Sequence, residues 1–377
     1  MDAPIYLDNN ATTRLAPEAL EAMLPWLTEQ FGNAGSAHNM GRLAEGAVVN
    51  ARDQLAQLLG CQSAELIFNS GGTEGLNHAI RGVFEAQPGK RHLVTTAVEH
   101  SAVLAIAQWL QRHGVEVTLL GVDSEGRLDL AELEAALRPD TGLVSIMAAN
   151  NETGVQFPLA EAGRLVKARG ILMHVDGTQA VGKVPLDLAS LPVDLFNLSG
   201  HKLHGPKGTG ALFVRRGVRI KPFMLGGGQE RGRRGGTENV AGIVGLGRAA
   251  QAAREALPEL ARIQVLRDRL EATLQAQVPG VRLNGKPSPR LPNTAMVSFA
   301  GLEGEALLLR LNERGICVST GSACTTGQRE PSHVLRAMGV DRGLAMGSVR
   351  FSLSRFTTDE EIQRLEQLLP GLVAELG

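Results

Sequence analysis

Apolar residues recur at helical spacing over residues 18–30, where Leu20, Met23, Leu24 and Leu27 share one side. Pro17 sits where a helix start tolerates it, and Pro25 inside the run predicts a kink. A loop over 31–38 separates this segment from a longer helix over 40–59, which Gly60 stops. Short apolar runs and helical patterns then alternate. Strands are predicted over 66–68, 92–96, 115–120, 143–148, 171–175, 193–198 and 211–214, with helices over 73–85, 101–112, 129–137 and 159–168. The repeated strand-then-helix order predicts the α/β class, with a mostly parallel sheet covered on both faces.

The rhythm changes after a glycine-rich stretch over 226–237. A long helical pattern over 239–277, broken near Pro258, reads as a spine joining two domains. Beyond it come strands over 281–283, 294–299, 317–318 and 348–353 and helices over 305–313, 332–338 and 359–369, with Pro370 and Gly371 as the expected stop. These predict a compact α+β unit. Between Val318 and Pro331 no periodicity is visible, and loops of that length inside compact domains are usually functional or disordered. A chain of 377 residues exceeds one small core. The expected division is an N-terminal arm over 1–15 packing on the smaller domain, a large domain over 16–257 and a small C-terminal domain over 258–377.

Composition removes several function classes. A formal net charge of −1 supplies no general attraction for nucleic acid or anionic membranes. No apolar run approaches a membrane span, and the first residues lack the basic region of a signal peptide. Cys61, Cys317 and Cys324 are too few and too scattered for a disulfide framework or a metal knuckle. A soluble, cytoplasmic protein is expected.

In an open parallel sheet, ligands collect beyond the carboxyl ends of the strands. Five predicted strands end in polar groups: Asn69 to Glu74 with two glycines, Glu99-His100, Asn150-Asn151-Glu152, Asp176 to Gln179, and Ser199-Gly200-His201-Lys202. One such tail would mean a helix cap. Together they offer a lysine amine, a carboxylate and a glycine-flanked helix start, the set pyridoxal phosphate requires for its aldehyde, its ring nitrogen and its phosphate. Spacing does not choose between Lys202 and Lys207 as the lysine. No Walker loop is present, and no G-x-G-x-x-G follows the first strand. His201 and His204 lack a third metal ligand, and a single Arg231-Gly-Arg-Arg run in a neutral protein reads as a phosphate-proximal loop rather than an RNA-binding segment.

The motifs YLDNNATTR (6–14), FGNAGSAH (31–38), SGGTEG (70–75), VEH (98–100), NNETG (150–154), HVDGTQAVGK (174–183) and SGHKLHGPKG (199–208) occur in order. GGGQERGRRGGTEN (226–239), STGSACTTG (319–327), EPSHVLRAMG (330–339) and VRFSLSRFTT (349–358) follow. Over nearly its whole length the chain thereby resembles the cysteine desulfurases of the nitrogen-fixation and iron–sulfur-cluster type, within the class V aminotransferase group of fold type I pyridoxal phosphate enzymes. The resemblance implies a large seven-stranded sheet domain and a smaller α+β domain. It also implies a homodimer that converts L-cysteine to L-alanine and passes the sulfur to an enzyme cysteine.

By that resemblance Lys202 would bind the cofactor aldehyde and later shuttle the proton. Asp176 would pair with the ring nitrogen, Gln179 with the ring hydroxyl, and His100 would stack on the ring. Gly72, Thr73, Ser199, Gly200 and His201 would hold the phosphate, with Thr237 reaching in from the other subunit. Asn151 and Arg350 would bind the substrate carboxylate, the arginine as a bidentate fork, with Asn151 also beside the cofactor. Cys324 would receive the sulfur as a persulfide, whose only metal contact would be a transient one with iron–sulfur species. Cys61 and Cys317 read as small buried hydrophobes. The sulfur would go to an acceptor or an iron–sulfur scaffold. The chain ends at Gly377, short of the extension many members use near a scaffold, so that docking stays open. Gly75 and Thr320 stand where the family commonly has Ser. The rival activities are a selenocysteine lyase or another class V aminotransferase. Outside enzymes, a sulfur carrier or cluster scaffold would have no use for a cofactor lysine and has too few thiolates here.

Overall fold

The computed structural model describes residues 4–320, 322–325 and 328–376, with side-chain placement omitted over 321–329. Strand β1 (Ile5–Tyr6) precedes helices α1 (Pro17–Thr28) and α2 (Asn39–Leu59). Then follow β2 (Leu66–Asn69), α3 (Gly72–Ala86), β3 (His92–Thr96), α4 (Ser101–Arg112), β4 (Glu116–Leu120), α5 (Leu130–Ala136) and β5 (Thr141–Met147). Next come α6 (Leu159–Ala168), β6 (Leu172–Asp176), β7 (Leu195–Ser199) and β8 (Gly210–Val214). Among the described residues β2 to β8 form one seven-stranded sheet in the order β2-β8-β7-β6-β5-β3-β4. Only β8 runs antiparallel to its neighbours, so the expected mostly parallel α/β sheet is present.

The strands carry continuous apolar runs because helices cover both faces. Val94, Val144, Met173, Val175 and Phe196 pack on one side. Ile67, Leu93, Leu143, Leu195 and Leu212 pack on the other, against α3 and α4. Asp129 caps α5 as its sequence position suggests, accepting a hydrogen bond from Ala131 N at 2.7 Å.

The long helical pattern is broken where expected, helix α7 (Val240–Ala256) and helix α8 (Leu260–Gln277) being separated by a 3-10 turn at Leu257–Glu259 that contains Pro258. The interruption separates two packing environments. Ile243 and Leu246 of α7 join the core of the large sheet, whereas Ile263, Leu266 and Leu270 of α8 join a second core. That core is built on β9 (Val281–Asn284), β10 (Thr294–Phe299), α9 (Gly304–Glu313) and β11 (Ile316–Cys317). Next are β12 (Ser319–Thr320), the hairpin β13 (Ser322–Thr325) and β14 (Gln328–Pro331), and the short helices α10 (His333–Ala337) and α11 (Arg342–Met346). β15 (Ser348–Ser352) and α12 (Asp359–Leu376) complete the chain. The arm joins this second core: β1 pairs with β11, and Ile5 and Leu7 are buried in it.

Two sequence expectations are corrected. Helix α12 does not stop at Pro370 but runs through it to Leu376. Leu372, one per cent exposed, packs in the second core beside Leu365 and Leu369, and that burial outweighs the hydrogen bond proline removes. The aperiodic stretch after Val318 contains an antiparallel hairpin, with Ser322 opposite Pro331 and Cys324 opposite Arg329. Main-chain pairing needs no alternation of apolar residues, so the pattern left no trace of it.

Candidate functional site

Beyond the carboxyl ends of β2, β5, β6 and β7 lies a cavity of about 420 Å³. Its lining includes Gly72, Thr73, His100, Asn151, Asp176, Gln179, Ser199, His201, Lys202 and Arg350. Residues from six sequence motifs thus meet at one sheet edge. Lys207, the competing lysine, is exposed and does not line the cavity.

The lysine ends β7 through a 3-10 turn, Gly200–Lys202. Its Nζ donates to Asn10 O at 2.5 Å and to Ala11 O at 2.7 Å, both on the arm. Burial, and after it the charge of Arg350, pushes its pKa down to about 8 against the pull of Asp8 and Asp176. A larger share of neutral amine at physiological pH suits a nucleophile. Gly200 stands two residues back, buried, with its N–H donated to Thr209 O at 2.9 Å.

Asp176 closes β6 and is six per cent exposed. Its Oδ1 accepts from Thr178 N at 3.0 Å and from Asn197 Nδ2 at 3.2 Å. Asn197 Oδ1 in turn takes the Nε2 proton of His174 at 2.8 Å, and His174 Nδ1 accepts from Ser145 Oγ at 2.8 Å. Ser145, His174 and Asn197 have no exposed surface, so this chain fixes the carboxylate from beneath. Burial lowers the pKa of His174 to about 4 and raises that of Glu99 to about 8. Both shifts favour the uncharged forms of these neighbours.

At the other end of the cavity, α3 begins with N–H groups that have no partner in their own helix. Gly71, its N-cap, has φ +135°, which a side chain would strain. A Cβ on Gly72 would stand 3.4 Å from Thr178 Oγ1 and 3.7 Å from Ser199 Cβ, filling the space between these groups. His201 completes this cradle with Nδ1 3.0 Å from Thr12 Oγ1, and burial lowers its pKa to about 4. The cradle is held from behind. Arg234 Nε donates to Glu74 Oε1 at 2.9 Å, and Glu74 Oε2 accepts from Ser70 N at 2.9 Å. Arg52 forks onto the buried Glu230 of the same glycine-rich loop.

His100 accepts from Ala102 N through Nδ1, at 3.2 Å. Burial lowers its pKa, with Asp176 opposing and Lys202 adding to the lowering. A ring nitrogen that accepts a backbone N–H carries no proton itself, so the proton of this ring stands on Nε2.

Sequence reasoning missed the residues that tie these groups together. Asn10 O receives Lys202 and also Gln179 Nε2, the latter at 2.9 Å. Asn10 Nδ2 donates to Thr294 Oγ1 at 2.9 Å and to Asn151 O at 3.1 Å. Lys183 Nζ donates to Gln179 Oε1 at 2.8 Å, which fixes the amide so that its N–H₂ faces the other way, one hydrogen going to Asn10 O. Burial lowers the pKa of Lys183 well below the usual lysine value. Lys183 follows Gln179 by one helical turn, a spacing that was visible. The role of Asn10, an arm residue, was not.

Thr237 is exposed and does not line the cavity. The side chain of Cys324 lies outside the described residues, although its backbone belongs to the hairpin. The root of that hairpin is tied to the site. Ser332 Oγ donates to Glu152 Oε2 while capping α10 by accepting from Val334 N and Leu335 N. His333 Nε2 donates to Glu99 O at 2.9 Å. Cys61 is packed against the main core, and burial pushes its thiol up to about 12, so it is inert. Among the described residues, no group of three or more His, Cys, Asp or Glu could hold a metal ion. None of the helices there is long and apolar enough to cross a membrane.

Known proteins share this arrangement of chain. A family model described as aminotransferase class-V matches residues 5–365. A protein of Trichormus variabilis named cysteine desulfurase 2 is 55% identical over 99% of this chain and 94% of its own length. The cysteine desulfurase NifS of Azotobacter vinelandii is 50% identical over the same shares, 99% and 94%. A solved structure titled NifS-like protein superposes with a TM-score of 0.92 at 42% identity, covering 99% of this chain and all of that one.

Proposed function

The chain belongs to the class-V aminotransferase family, and from that premise we propose that it is a cysteine desulfurase using pyridoxal phosphate. The observation that carries the reading is the lysine with its pKa drawn down to about 8, in one cavity with a fixed carboxylate, a helix-start cradle and a buried arginine. The residues present fit the cofactor. Gly72, Thr73, Ser199, Gly200 and His201 would hold its phosphate, Asp176 its ring nitrogen, Gln179 its ring hydroxyl and Lys202 its aldehyde, with His100 stacked on the ring. Gln179 would donate to that hydroxyl oxygen through the amide hydrogen it does not give to Asn10 O. Bound pyridoxal phosphate supplies an electron sink that acidifies the substrate's α-carbon.

Arg350 and Asn151 orient L-cysteine by its carboxylate. Lys202 Nζ, whose lowered pKa leaves a larger share of the amine unprotonated, then takes the proton at the substrate Cα. His100, which lines the cavity and keeps its proton on Nε2 while Nδ1 accepts from Ala102 N, would hold or donate a proton there. The Sγ of Cys324 bonds to the substrate sulfur as the carbon–sulfur bond breaks. L-cysteine and one thiol become L-alanine and one persulfide, which a sulfur acceptor or iron–sulfur scaffold afterwards consumes.

The protein is a homodimer in this reading. Leu27, Phe31, Leu43, Val49 and Leu225 expose half or more of their surface, an apolar burden typical of an interface. Thr237, outside its own cavity, would complete the cradle of the second copy. The reaction belongs in the cytoplasm. Mass spectrometry after incubation with L-cysteine tests the activity: one added sulfur on Cys324 and L-alanine in solution are expected. Undiminished alanine release by Cys324→Ala would sink the proposal and favour another class-V activity.

A further inference from the structure

Arg350, assigned above to the substrate's carboxylate, already carries one. Its Nη2 donates to Asp8 Oδ1 at 2.8 Å and its Nη1 to Asn151 O at 2.9 Å. Its Nε is buried and has no partner among the described residues. Asp8 lies on the arm, where its backbone bridges to Ser352, two residues beyond Arg350 on β15. Arg350 lines the cavity and Asp8 does not, so the acid approaches the guanidinium from outside the cavity.

A purely structural ion pair would need an arm that depended on it. The arm is otherwise well held. Leu7 N donates to Cys317 O at 2.8 Å, Asn9 N to Ser352 O at 3.1 Å and Ser352 N to Leu7 O at 2.7 Å. Asn9 Nδ2 adds a bond to Ser352 O at 2.9 Å. The Asp8 side chain retains 20% of its exposure while that of Arg350 retains 9%. A partly solvated carboxylate exchanges its partner for water at small cost, unlike a sealed one. The guanidinium edge formed by Nε and Nη2 is half used: Nη2 by Asp8, Nε by nothing. That edge accepts a carboxylate by two parallel bonds once Asp8 yields its share. Asp8 also raises the pKa of Lys202, so its charge is felt by both principal cations of the cavity.

We propose that Asp8 is an internal stand-in for the substrate's α-carboxylate, compensating Arg350 between turnovers and competing with the incoming ligand. The inference rests on the reading of Arg350 given above. Its consequence is that Asp8 sets ligand affinity without taking part in bond making. It is a positioning residue that tunes specificity for carboxylates.

Asp8→Asn separates charge from shape, because the amide oxygen still accepts from Nη2. L-alanine is titrated into the cofactor-loaded protein and followed by the cofactor's absorbance. The variant should bind it roughly threefold to tenfold more tightly, the scale of one partly screened charge. KM for L-cysteine should fall by a similar factor, with kcat within about twofold. Unchanged or weaker L-alanine binding, or a lowered melting temperature with affinity unmoved, overturns the proposal. Arg350→Gln in the same titration keeps the two readings apart. If it weakens L-alanine at least about tenfold while Asp8→Asn changes nothing, only the role of Asp8 fails. If neither variant moves the affinity, the carboxylate site itself is misassigned and both fall.

Discussion

The floor of the cavity and the hairpin that carries Cys324 are held in different ways. Asp176 rests on Asn197, His174 and Ser145, all without exposed surface and on neighbouring strands of one sheet. The hairpin pairs β13 with β14 and, among the described residues, with no other strand. Its attachment is at the root, where Ser332 meets Glu152 and His333 meets the backbone of Glu99. Asp176, proposed above to stay registered to the cofactor ring, is built into a strand end. Cys324, proposed to receive sulfur at the cavity and surrender it elsewhere, stands on an element with its own pairing. The difference suits the two tasks: geometry fixed to fractions of an ångström for the first, and a separable unit for the second.

The comparison can be broken first at the floor, by proton linkage. Lys202 has a folded pKa of about 8, below the value of an unfolded lysine. Below pH 8 both states hold the proton and the burial cost is fully present. Between pH 8 and about 10.4 the unfolded chain binds more protons, so cofactor-free protein should gain stability as pH rises. The gain attributable to Lys202 is on the order of 3 kcal/mol. Urea unfolding across that range should show the rise, and Lys202→Met should reduce its slope. Lys183 is shifted in the same direction, so a remainder of the slope should survive the substitution.

Asn197→Ala probes the support directly. It leaves Asp176 Oδ1 and His174 Nε2 each short of a buried partner, which costs about 2 kcal/mol. Cofactor affinity should fall with stability, and wild-type affinity in this variant would mean that Asp176 needs no fixing from beneath. The smallest effect is expected at the hairpin root. Ser332→Ala removes the cap of α10 at a cost of about 1 kcal/mol. If the two regions are independent, the cofactor's absorbance should stay unchanged while persulfide formation on Cys324 slows. A changed cofactor spectrum would show that the root and the floor act as one body.

Much of the fold was legible because it rests on local signals. The apolar runs ending in Asn69, Thr96, Asp176 and Ser199 marked strands whose polar tails do meet at one edge. Pro258 marked the change of packing partner between α7 and α8. Pro370 misled, since helix propensity is a weak term beside the burial of Leu372. The hairpin after Thr320 was invisible because backbone hydrogen bonds carry no side-chain pattern. Choosing Lys202 over Lys207 required the family resemblance, and the cavity now distinguishes them by position.

By itself the sequence determined the class of fold and the inventory of reactive groups, for strand and helix periodicities and strand-end chemistry are written in neighbouring residues. Only the tertiary structure decided who holds whom. Asn10 reaches Lys202 across 192 positions, and Asp8 reaches Arg350 across 342. Such pairings depend on which backbone surfaces come together when the two cores pack, and no local pattern encodes a partner that distant. The arm reads as a short polar cluster along the chain. In the folded protein it is the strap that binds the lysine, the glutamine and the arginine of the site to one another.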